Sequence, residues 1–191
     1  MQKSELRKIF LEKQTSLPKP ERSAKTEQVL GRLFESFDFS QKRFLNCFVT
    51  LEKNNELDTF EIFQKIWREF PNIETTAPRI NFEMNILENV RVSPDMKFVA
   101  NKWQILEPEG DDFIAVEKLD VVLVPLIAFD ERGFRCGYGK GFYDKFLRKC
   151  RADCQKIGLS LFPPVEKIEN IEDFDVPLDF CVTPERVWKF V

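Results

Sequence analysis

The sequence predicts an α/β protein: a single layered domain over residues 1–191, with a mostly parallel or mixed central sheet flanked by helices. Short apolar runs typical of strands alternate along the chain with longer segments whose apolar residues recur at helical spacing. This alternation is typical of layered α/β folds. No Pro-, Gly- or Ser-rich linker divides the 191 residues. A chain of this length suits one domain that buries about 70% of the surface of its unfolded chain.

The N-terminal part of the chain is predicted to form two helices and a strand. The first helix covers residues 3–16, where Leu6 and Phe10 lie one helical turn apart. A strand is predicted from Arg43 to Leu51, because this run is mainly apolar. The second helix lies between them, after Pro20. Its apolar stripe consists of Val29, Leu30, Leu33, Phe34 and Phe37.

A polar turn at Glu52–Glu56 leads to a third predicted helix. Asp58 is predicted to be its N-cap, because Glu61 follows three residues later in capping-box register. The apolar stripe of this helix consists of Ile62, Phe63, Ile66, Trp67 and Phe70.

The middle of the chain is predicted to be two paired strands and a loop. Alternating apolar residues predict a strand within 80–92, and Met96–Trp103 is predicted to pair with it. An acidic loop from Glu107 to Lys118 follows. The alternating residues are Ile80, Phe82, Met84 and Ile86.

The C-terminal part is predicted to hold three strands and a helix. The run Val121–Ile127 is apolar throughout apart from its proline and predicts a buried strand. A glycine-rich turn follows it, and a helix is predicted from Phe142 to about residue 151. Two further strands are predicted at Ile157–Phe162 and Phe180–Thr183.

Composition excludes several classes of function. The net charge is −3 and no basic run stands out, so we expect no nucleic-acid partner. The chain contains no histidine. This absence excludes Ser-His and Cys-His nucleophilic pairs, histidine metal ligands and imidazole acid–base steps. The chemistry must therefore depend on carboxylates, Lys, Arg, Tyr, metal ions and backbone dipoles.

The sequence also predicts a cytoplasmic location. The first residues lack the apolar core of a secretion signal, and no apolar stretch reaches the roughly 18 residues of a transmembrane helix, so we expect no membrane partner. The five cysteines are odd in number and scattered, as is typical of a reducing compartment. Cys150 and Cys154 are separated by three residues, whereas common zinc knuckles have two, and we expect no structural zinc.

The most informative feature is a cluster of glycines. Four of the seven glycines lie between Gly133 and Gly141, at the junction of a predicted strand and a predicted helix. A glycine-rich turn at such a junction directs backbone N–H groups at one point, which is how proteins hold phosphate. The Gly-x-Gly-x-Gly spacing is neither that of a P-loop nor that of the dinucleotide fingerprint. The alternative is a tight turn whose glycines only relieve backbone strain.

Charged residues beside this turn favour the phosphate interpretation. Arg135 and Lys140 place fixed positive charge next to the loop. Asp144, in the first turn of the following helix, either caps the helix or shares a Mg²⁺ ion with bound phosphate. Asp175 and Asp179 are possible second carboxylates, although each is also a plausible turn cap.

The stretch Asp120–Asp144 strongly resembles the signature of 5-formyltetrahydrofolate cyclo-ligases, also called methenyltetrahydrofolate synthetases. Members of that family carry a hydrophobic strand with proline and then Phe-Asp-x-x-Gly-x-Arg-x-Gly-x-Gly-x-Gly-Tyr-Tyr-Asp. This chain shows the same spacing from Phe129 onward, with Phe142 in place of the first tyrosine.

Further segments extend the resemblance over nearly the whole chain. Lys3–Arg7 looks like the family's N-terminal Lys-x-x-Leu-Arg, where ATP is held. Glu56–Thr59 looks like its Glu-Val-Asp-Thr segment, whose glutamate contacts the folate. Trp103–Pro108 resembles its Trp-Gly-Ile-x-Glu-Pro, with Gln104 in place of glycine.

One departure concerns the C-terminal part of the pattern. Asp175–Asp179 resembles the family's His-Asp-x-x-Leu-Asp, but Phe174 replaces the histidine. This replacement weakens any role that the histidine has in the family, while the rest of the pattern is present.

The resemblance implies a reaction and a set of site residues. MgATP and 5-formyltetrahydrofolate would give 5,10-methenyltetrahydrofolate, ADP and phosphate, in a monomer whose partners are small molecules. Asp144 and Asp175 would hold Mg²⁺, and Lys140, Arg135 and Tyr143 would carry the reaction. The folate would contact Val49, Glu56, Trp103 and Tyr143. The ATP-binding residues would be Lys3, Ser4, Glu5, Leu6, Arg7, Arg135, Cys136, Gly137, Tyr138, Gly139, Lys140, Gly141, Phe142 and Tyr143.

Other functions remain open from the residues alone. A non-catalytic nucleotide- or folate-binding protein would need the glycines and cations but not Asp144. A sugar-phosphate isomerase or acyl-CoA transferase would share only the fold class, which is weak evidence for chemistry. The alternative for Glu56 is an exposed loop charge, and for Trp103 a place in the core. Lys3 and Arg7 would otherwise lie on a solvated helix face.

Overall fold

The computed structural model describes all 191 residues, and its helices flank a central sheet. The helices are α1 Lys3–Thr15, α2 Lys19–Ser36, α3 Phe60–Glu69 and α4 Phe142–Leu147. The strands are β1 Phe44–Cys47, β2 Glu74–Asn81, β3 Ile86–Val92, β4 Phe98–Ala100, β5 Leu106–Pro108, β6 Val121–Val124, β7 Ala128–Phe129, β8 Arg135–Cys136, β9 Gln155–Leu159, β10 Phe180–Val182 and β11 Val187–Lys189.

Seven strands form the main sheet in the order β11-β10-β9-β6-β1-β2-β3. The five inner strands are parallel to one another, and the antiparallel strands β11 and β3 form the edges. This mixed sheet with flanking helices confirms the fold class predicted from the sequence. Two small antiparallel pairs, β4-β5 and β7-β8, lie outside the main sheet.

The core lies on both faces of the central strands. The larger cluster packs residues of α2 and α3 against the sheet, including Leu33, Phe63 and Leu123, which are almost completely buried. A second cluster packs α4 against the other face of the sheet through residues such as Phe146 and Val122. No helix combines the length and the apolar character needed to cross a membrane.

Several local predictions were wrong. Helix α2 begins at Lys19, before Pro20, which lies in the first turn where a missing N–H costs little. Thr59, and not Asp58, is the N-cap of α3, and the predicted capping box with Glu61 is absent. Asp58 Oδ1 instead accepts a hydrogen bond of 3.0 Å from the Phe60 amide.

The predicted strand within 80–92 is in fact the end of one strand, a tight turn and a second strand. Strand β2 begins at Glu74, and Asn85 with φ of 52° closes the turn before β3. Strand β4 pairs with β5 and not with this hairpin, contrary to the predicted pairing. The edge strand β11 was not predicted, and α4 ends at Leu147, earlier than expected.

Candidate active site

A cavity of about 640 Å³ opens beside the carboxyl ends of β1 and β6. Ligand sites in open α/β sheets commonly lie at this edge, and the volume suits a small molecule. Phe48 and Val49 line it directly after β1, and Pro125 directly after β6. The predicted site residues that line it are Lys3, Arg7, Val49, Glu56, Trp103, Arg135, Gly137, Tyr138, Gly139, Lys140, Gly141, Phe142, Tyr143, Asp144 and Asp175.

The glycine loop, defined as Gly137–Gly141, borders this cavity between β8 and α4. The sequence predicted that the turn follows the buried strand directly, but the β7-β8 hairpin separates the loop from β6. Gly139 and Gly141 have φ of +86° and +67°, a conformation that glycine adopts without strain. A Cβ on Gly139 would also lie 3.3 Å from the Arg7 guanidinium, so a side chain there would crowd Arg7.

Helix α1 closes directly onto this loop. Arg7 Nε donates a hydrogen bond of 2.9 Å to the Gly137 carbonyl oxygen, and the Cys136 thiol donates one of 3.2 Å to the Lys3 carbonyl oxygen. Lys3 and Arg7 therefore face the cavity and not bulk solvent, contrary to the alternative left open by the sequence.

Four predicted ATP-binding residues do not line the cavity: Ser4, Glu5, Leu6 and Cys136. Leu6 is fully buried in a small apolar cluster that also contains Cys136. The Glu5 carboxylate accepts a hydrogen bond of 3.1 Å from the Gln2 amide in a capping box at the start of α1. Leu6 and Cys136 thereby hold α1 in place beside the loop.

Arg135 and Asp144 form a buried ion pair that joins β8 to α4. The Arg135 Nη2 donates to Asp144 Oδ1 at 2.9 Å, and its Nη1 donates to the Val176 carbonyl oxygen. Asp144 Oδ1 also accepts a hydrogen bond of 3.2 Å from the Val176 amide. Burial lowers the pKa of Arg135, while Asp144 opposes that shift. Asp144 Oδ2 accepts no hydrogen bond from the protein.

The second candidate metal ligand, Asp175, is held in a similar way. Its Oδ2 accepts hydrogen bonds from Lys3 Nζ and, at 2.8 Å, from the Glu172 amide, while its Oδ1 accepts none. Asp179 does not line the cavity. Its Oδ2 accepts hydrogen bonds from the amide and the ammonium group of Lys156, at 2.7 and 2.9 Å. No cluster of three or more metal-ligating side chains is present.

Lys140 is an exposed cation on the glycine loop. Its Nζ lies 5.4 Å from the centre of the Trp103 ring, and it forms no ion pair with a carboxylate. The Trp103 ring also packs against Phe142 and Phe82, with ring centres 6.1 and 4.9 Å away. Trp103 thus lies at the cavity wall, with aromatic neighbours on one side and a free cation on another.

Glu56 is buried, which contradicts the alternative of an exposed loop charge. Only 6% of the residue is accessible to solvent. Its Oε2 accepts a hydrogen bond of 2.7 Å from the Leu51 amide, and its Oε1 accepts one from the Tyr138 hydroxyl. Burial raises the pKa of Glu56 to about 7, although these two hydrogen bonds act in the opposite direction.

Tyr143 and Phe174 add aromatic surface to the cavity. The Tyr143 hydroxyl is buried but has no hydrogen-bond partner, and burial raises its pKa well above the usual value. A buried polar atom without a partner carries a free-energy cost unless a ligand or water satisfies it. Phe174, at the position of the family histidine, is 51% exposed and offers no polar atom.

One buried carboxylate at the cavity was not named as a site residue from the sequence. Glu107 Oε1 accepts hydrogen bonds of 2.8 Å from the Ile80 amide and from Asn101 Nδ2. Burial raises the pKa of Glu107. The sequence contained a hint of this role, because Glu107 belongs to the Trp103–Pro108 segment that resembles the family. Nothing in the sequence, however, placed its side chain at the cavity.

The fold and the cavity together define an α/β protein with a small-molecule site rich in fixed charge. The family model described as "5-formyltetrahydrofolate cyclo-ligase family" matches residues 1–184, and the chain belongs to this family. The resemblance stated from the sequence is therefore confirmed.

Similar proteins and a solved structure agree with this assignment. The chain is 34% identical to the 5-formyltetrahydrofolate cyclo-ligase of Escherichia coli K12 over 146 residues, which are 74% of this chain and 79% of the relative. It is 30% identical to a probable 5-formyltetrahydrofolate cyclo-ligase of Caenorhabditis elegans, covering 93% of this chain and 90% of that one. The NMR structure of 5,10-methenyltetrahydrofolate synthetase from Aquifex aeolicus superimposes with a TM-score of 0.84 at 29% identity, covering 100% of this chain and 93% of that one. The chain is thus an enzyme of the ligase class, and the family supports cyclo-ligase activity for it.

Proposed function

We propose that this chain catalyses the ATP-dependent cyclisation of 5-formyltetrahydrofolate to 5,10-methenyltetrahydrofolate, with release of ADP and phosphate. The observation that carries the proposal is the composition of one cavity. It brings the cations Lys3, Arg7 and Lys140 together with the buried carboxylate Glu56 and the indole of Trp103. These residues come from segments far apart in the sequence, and their chemistry matches two different ligands.

The nucleotide is proposed to bind at the glycine loop. Lys140 forms no ion pair, so its charge is available for a phosphate, and Lys3 and Arg7 approach from α1. The loop glycines leave their backbone open to a close ligand. Arg135 is engaged by Asp144 and Val176, and it supports the loop while adding positive charge beneath it.

The carboxylates at the cavity fit a magnesium ion that arrives with the nucleotide. Magnesium is typically held by one or two carboxylates plus phosphate oxygens and water, so a cage of three protein ligands is not required. Asp144 Oδ2 and Asp175 Oδ1 are each free of hydrogen bonds to the protein, and both residues line the cavity. When bound, the ion would neutralise charge on the phosphates during transfer.

The folate is proposed to bind at Glu56. A pterin presents parallel N–H donors, and a carboxylate accepts two of them in a bidentate contact. Val49, Trp103 and Tyr143 supply apolar and aromatic surface at the same cavity. The unpartnered Tyr143 hydroxyl is available to a polar atom of the substrate.

The proposed reaction has two steps and balances without a histidine. The formyl oxygen attacks the γ-phosphorus and ADP leaves, which gives an activated formyl carbon bonded to oxygen and N5. N10 then attacks this carbon and loses its proton, and phosphate departs with the former formyl oxygen. Such phosphoryl transfer depends mainly on positioning and charge neutralisation, which a cationic loop provides.

The test is a direct assay of the purified chain. With MgATP and 5-formyltetrahydrofolate together, we expect the near-ultraviolet absorbance of the methenyl product to rise at a rate proportional to the enzyme concentration. Omitting either substrate should abolish the rise. Tight binding of both substrates without any product would instead show a binding protein and would refute the proposed activity.

A further inference from the structure

The hydrogen bond between Tyr138 and Glu56 joins two parts of the site that the sequence treats separately. Tyr138 lies within the glycine loop, and its hydroxyl donates to Glu56 Oε1 across 82 positions of sequence. The Leu51 amide holds the other oxygen of the same carboxylate at 2.7 Å. Each oxygen of Glu56 is therefore fixed by one protein donor.

We propose that Tyr138 is a positioning residue for the substrate, which orients the Glu56 carboxylate toward the folate and favours its ionised form. The resemblance placed Tyr138 among the ATP-binding residues, whereas its hydroxyl points at the carboxylate assigned to the other substrate. This inference rests on the proposed function, because it takes the ligand of Glu56 to be a pterin with paired N–H donors.

The geometry of a carboxylate allows this role. An ionised carboxylate accepts about four hydrogen bonds, two at each oxygen. Leu51 and Tyr138 use two of these positions. Two positions remain, one on each oxygen, which is the number that a bidentate pterin contact requires. Leu51 and Tyr138 therefore hold the carboxylate and leave one acceptor position on each oxygen for the substrate.

No other side chain around Glu56 replaces the Tyr138 hydroxyl. Arg22 of α2 donates to the main-chain oxygen of Glu56 at 3.3 Å and pairs with Glu52 at 3.6 Å, so its charge is not on the carboxylate. Burial, followed by Cys47 and Glu56, raises the pKa of Tyr143 of α4, and its hydroxyl forms no hydrogen bond.

The phenol of Tyr138 is a stable donor. Burial, followed by the charge of Glu56, raises the pKa of Tyr138 far above its usual value, although the amides of Asn54 and Gln14 oppose the shift. The hydroxyl therefore keeps its proton at any working pH. Its hydrogen bond favours the ionised form of Glu56, whose pKa is about 7 because burial outweighs the two donors.

A measurement without any substrate tests the first half of the proposal. The Glu56 carboxyl would be titrated by ¹³C NMR in protein labelled at glutamate, with Glu56→Gln identifying its resonance. Loss of a charge-assisted hydrogen bond shifts a pKa by about one unit. We therefore expect the midpoint of Glu56 to rise by about one unit in Tyr138→Phe. An unchanged midpoint would overturn the proposal whatever the substrate is.

Kinetics test the second half. With the Glu56 midpoint raised from about 7 to about 8, the ionised fraction at pH 7 falls about fivefold, so KM for 5-formyltetrahydrofolate should rise about fivefold in Tyr138→Phe. The two KM values should converge near pH 9, and KM for ATP should stay within about twofold. A purely structural role for Tyr138 would change KM equally at all pH values and would contradict the proposal.

A double variant and a second substitution keep these results interpretable. In a Glu56→Gln background, Tyr138→Phe should leave the pH dependence of KM unchanged, because no carboxyl remains to be held. If Tyr138→Phe fails to fold, Tyr138→Met is titrated in its place, with the same expected shift. A raised Glu56 midpoint in a protein that never produces the methenyl compound would refute the proposed function, while the effect of the Tyr138 hydrogen bond on Glu56 would stand.

Discussion

Lys140 and Glu56 contact the same cavity, and each is proposed to serve a different substrate. A hydrogen bond to a charged group contributes about 1.5–3 kcal/mol, and about 1.4 kcal/mol corresponds to a factor of ten in rate. We therefore expect Lys140→Ala to lower kcat/KM for ATP at least about tenfold and to leave KM for the folate nearly unchanged. Glu56→Gln should raise KM for the folate and leave KM for ATP nearly unchanged, because the amide presents a donor where one pterin N–H needs an acceptor. Steady-state kinetics with each substrate varied in turn provides the measurement.

Lys149→Ala is the matched control for this pair. Lys149 is also exposed and lies just beyond α4, but it does not line the cavity. Its replacement should leave both KM values unchanged. Equal shifts of both KM values in Lys140→Ala or in Glu56→Gln would contradict the division of the cavity between two substrates.

The buried position of Glu56 also predicts how stability depends on pH. Its pKa rises from 4.5 in the unfolded chain to about 7 in the folded one, so the folded protein holds an extra proton between these values. The contribution of Glu56 to stability is therefore full below about pH 4.5 and is lost as pH rises through 7. Relative to the wild type, Glu56→Gln should gain on the order of 3 kcal/mol of unfolding free energy over this window. Urea unfolding at pH 5, 6, 7 and 8 measures it, and parallel curves for the two proteins would refute it.

The backbone conformation at Gln104 is one that glycine adopts more easily, and glycine is what the family carries at this position. Gln104 has φ of +62°, in the left-handed region. A residue with a Cβ in this conformation destabilises the folded state by about 1–2 kcal/mol. Glycine avoids this cost, but part of the gain is offset because glycine makes the unfolded chain more flexible. We expect Gln104→Gly to raise the free energy of unfolding by up to about 1 kcal/mol. Gln104→Ala, which keeps the Cβ, should bring no gain, and a loss of stability in Gln104→Gly would show that the conformation is unstrained.

At the level of helices and strands, the sequence predicted best where apolar periodicity is strong. Helix α1, helix α3 and strand β6 lie where the pattern placed them, because each buries one apolar stripe or a continuous apolar run. The N-terminal half of β2 was missed because it buries threonines. Thr75 accepts a hydrogen bond of 2.7 Å from Trp67 Nε1, and Thr76 donates one of 3.3 Å to the Leu45 carbonyl oxygen, so hydrogen bonds replace apolar side chains there.

The ion pair between β8 and α4 gives a prediction about elements. The Arg135 side chain is 5% exposed, and Asp144 is its only carboxylate partner. Removing one partner of a buried pair costs about 3–5 kcal/mol, because the other charge stays buried. We expect Asp144→Asn to lower the free energy of unfolding by about 3 kcal/mol, in addition to any loss of magnesium-dependent activity. The double variant Arg135→Gln with Asp144→Asn should cost less than the sum of the single changes.

Asp153→Asn is the control for this prediction. Asp153 pairs with Arg151 at 2.7 Å, but its side chain is 76% exposed, so its replacement should cost less than about 1 kcal/mol. Equal losses of unfolding free energy in Asp144→Asn and Asp153→Asn would show that burial does not make the Arg135–Asp144 pair more important for stability than an exposed pair. If Asp144→Asn kept full activity at limiting magnesium, the proposed metal role would be wrong and a structural role would be the better account.

At the scale of the whole molecule, the sheet order decides which segments meet. Strands β1 and β6 are neighbours in the sheet, which brings the segments that follow them to one edge, and α1 closes over the glycine loop there. Most of the site residues that the resemblance to a known family predicted do line the cavity. The resemblance did not predict that Glu56 is buried or that Tyr138 binds it, since such pairings depend on side-chain directions that no local pattern encodes.

The central claim is that both substrates react in this one cavity, and transfer of oxygen tests it most directly. 5-Formyltetrahydrofolate labelled with ¹⁸O at the formyl group would be converted with unlabelled ATP in unlabelled water. Mass spectrometry of the released phosphate would then follow the label. We expect one ¹⁸O atom in each phosphate formed, because the formyl oxygen takes the γ-phosphoryl group before N10 expels it. Unlabelled phosphate with full conversion of the folate would contradict the account.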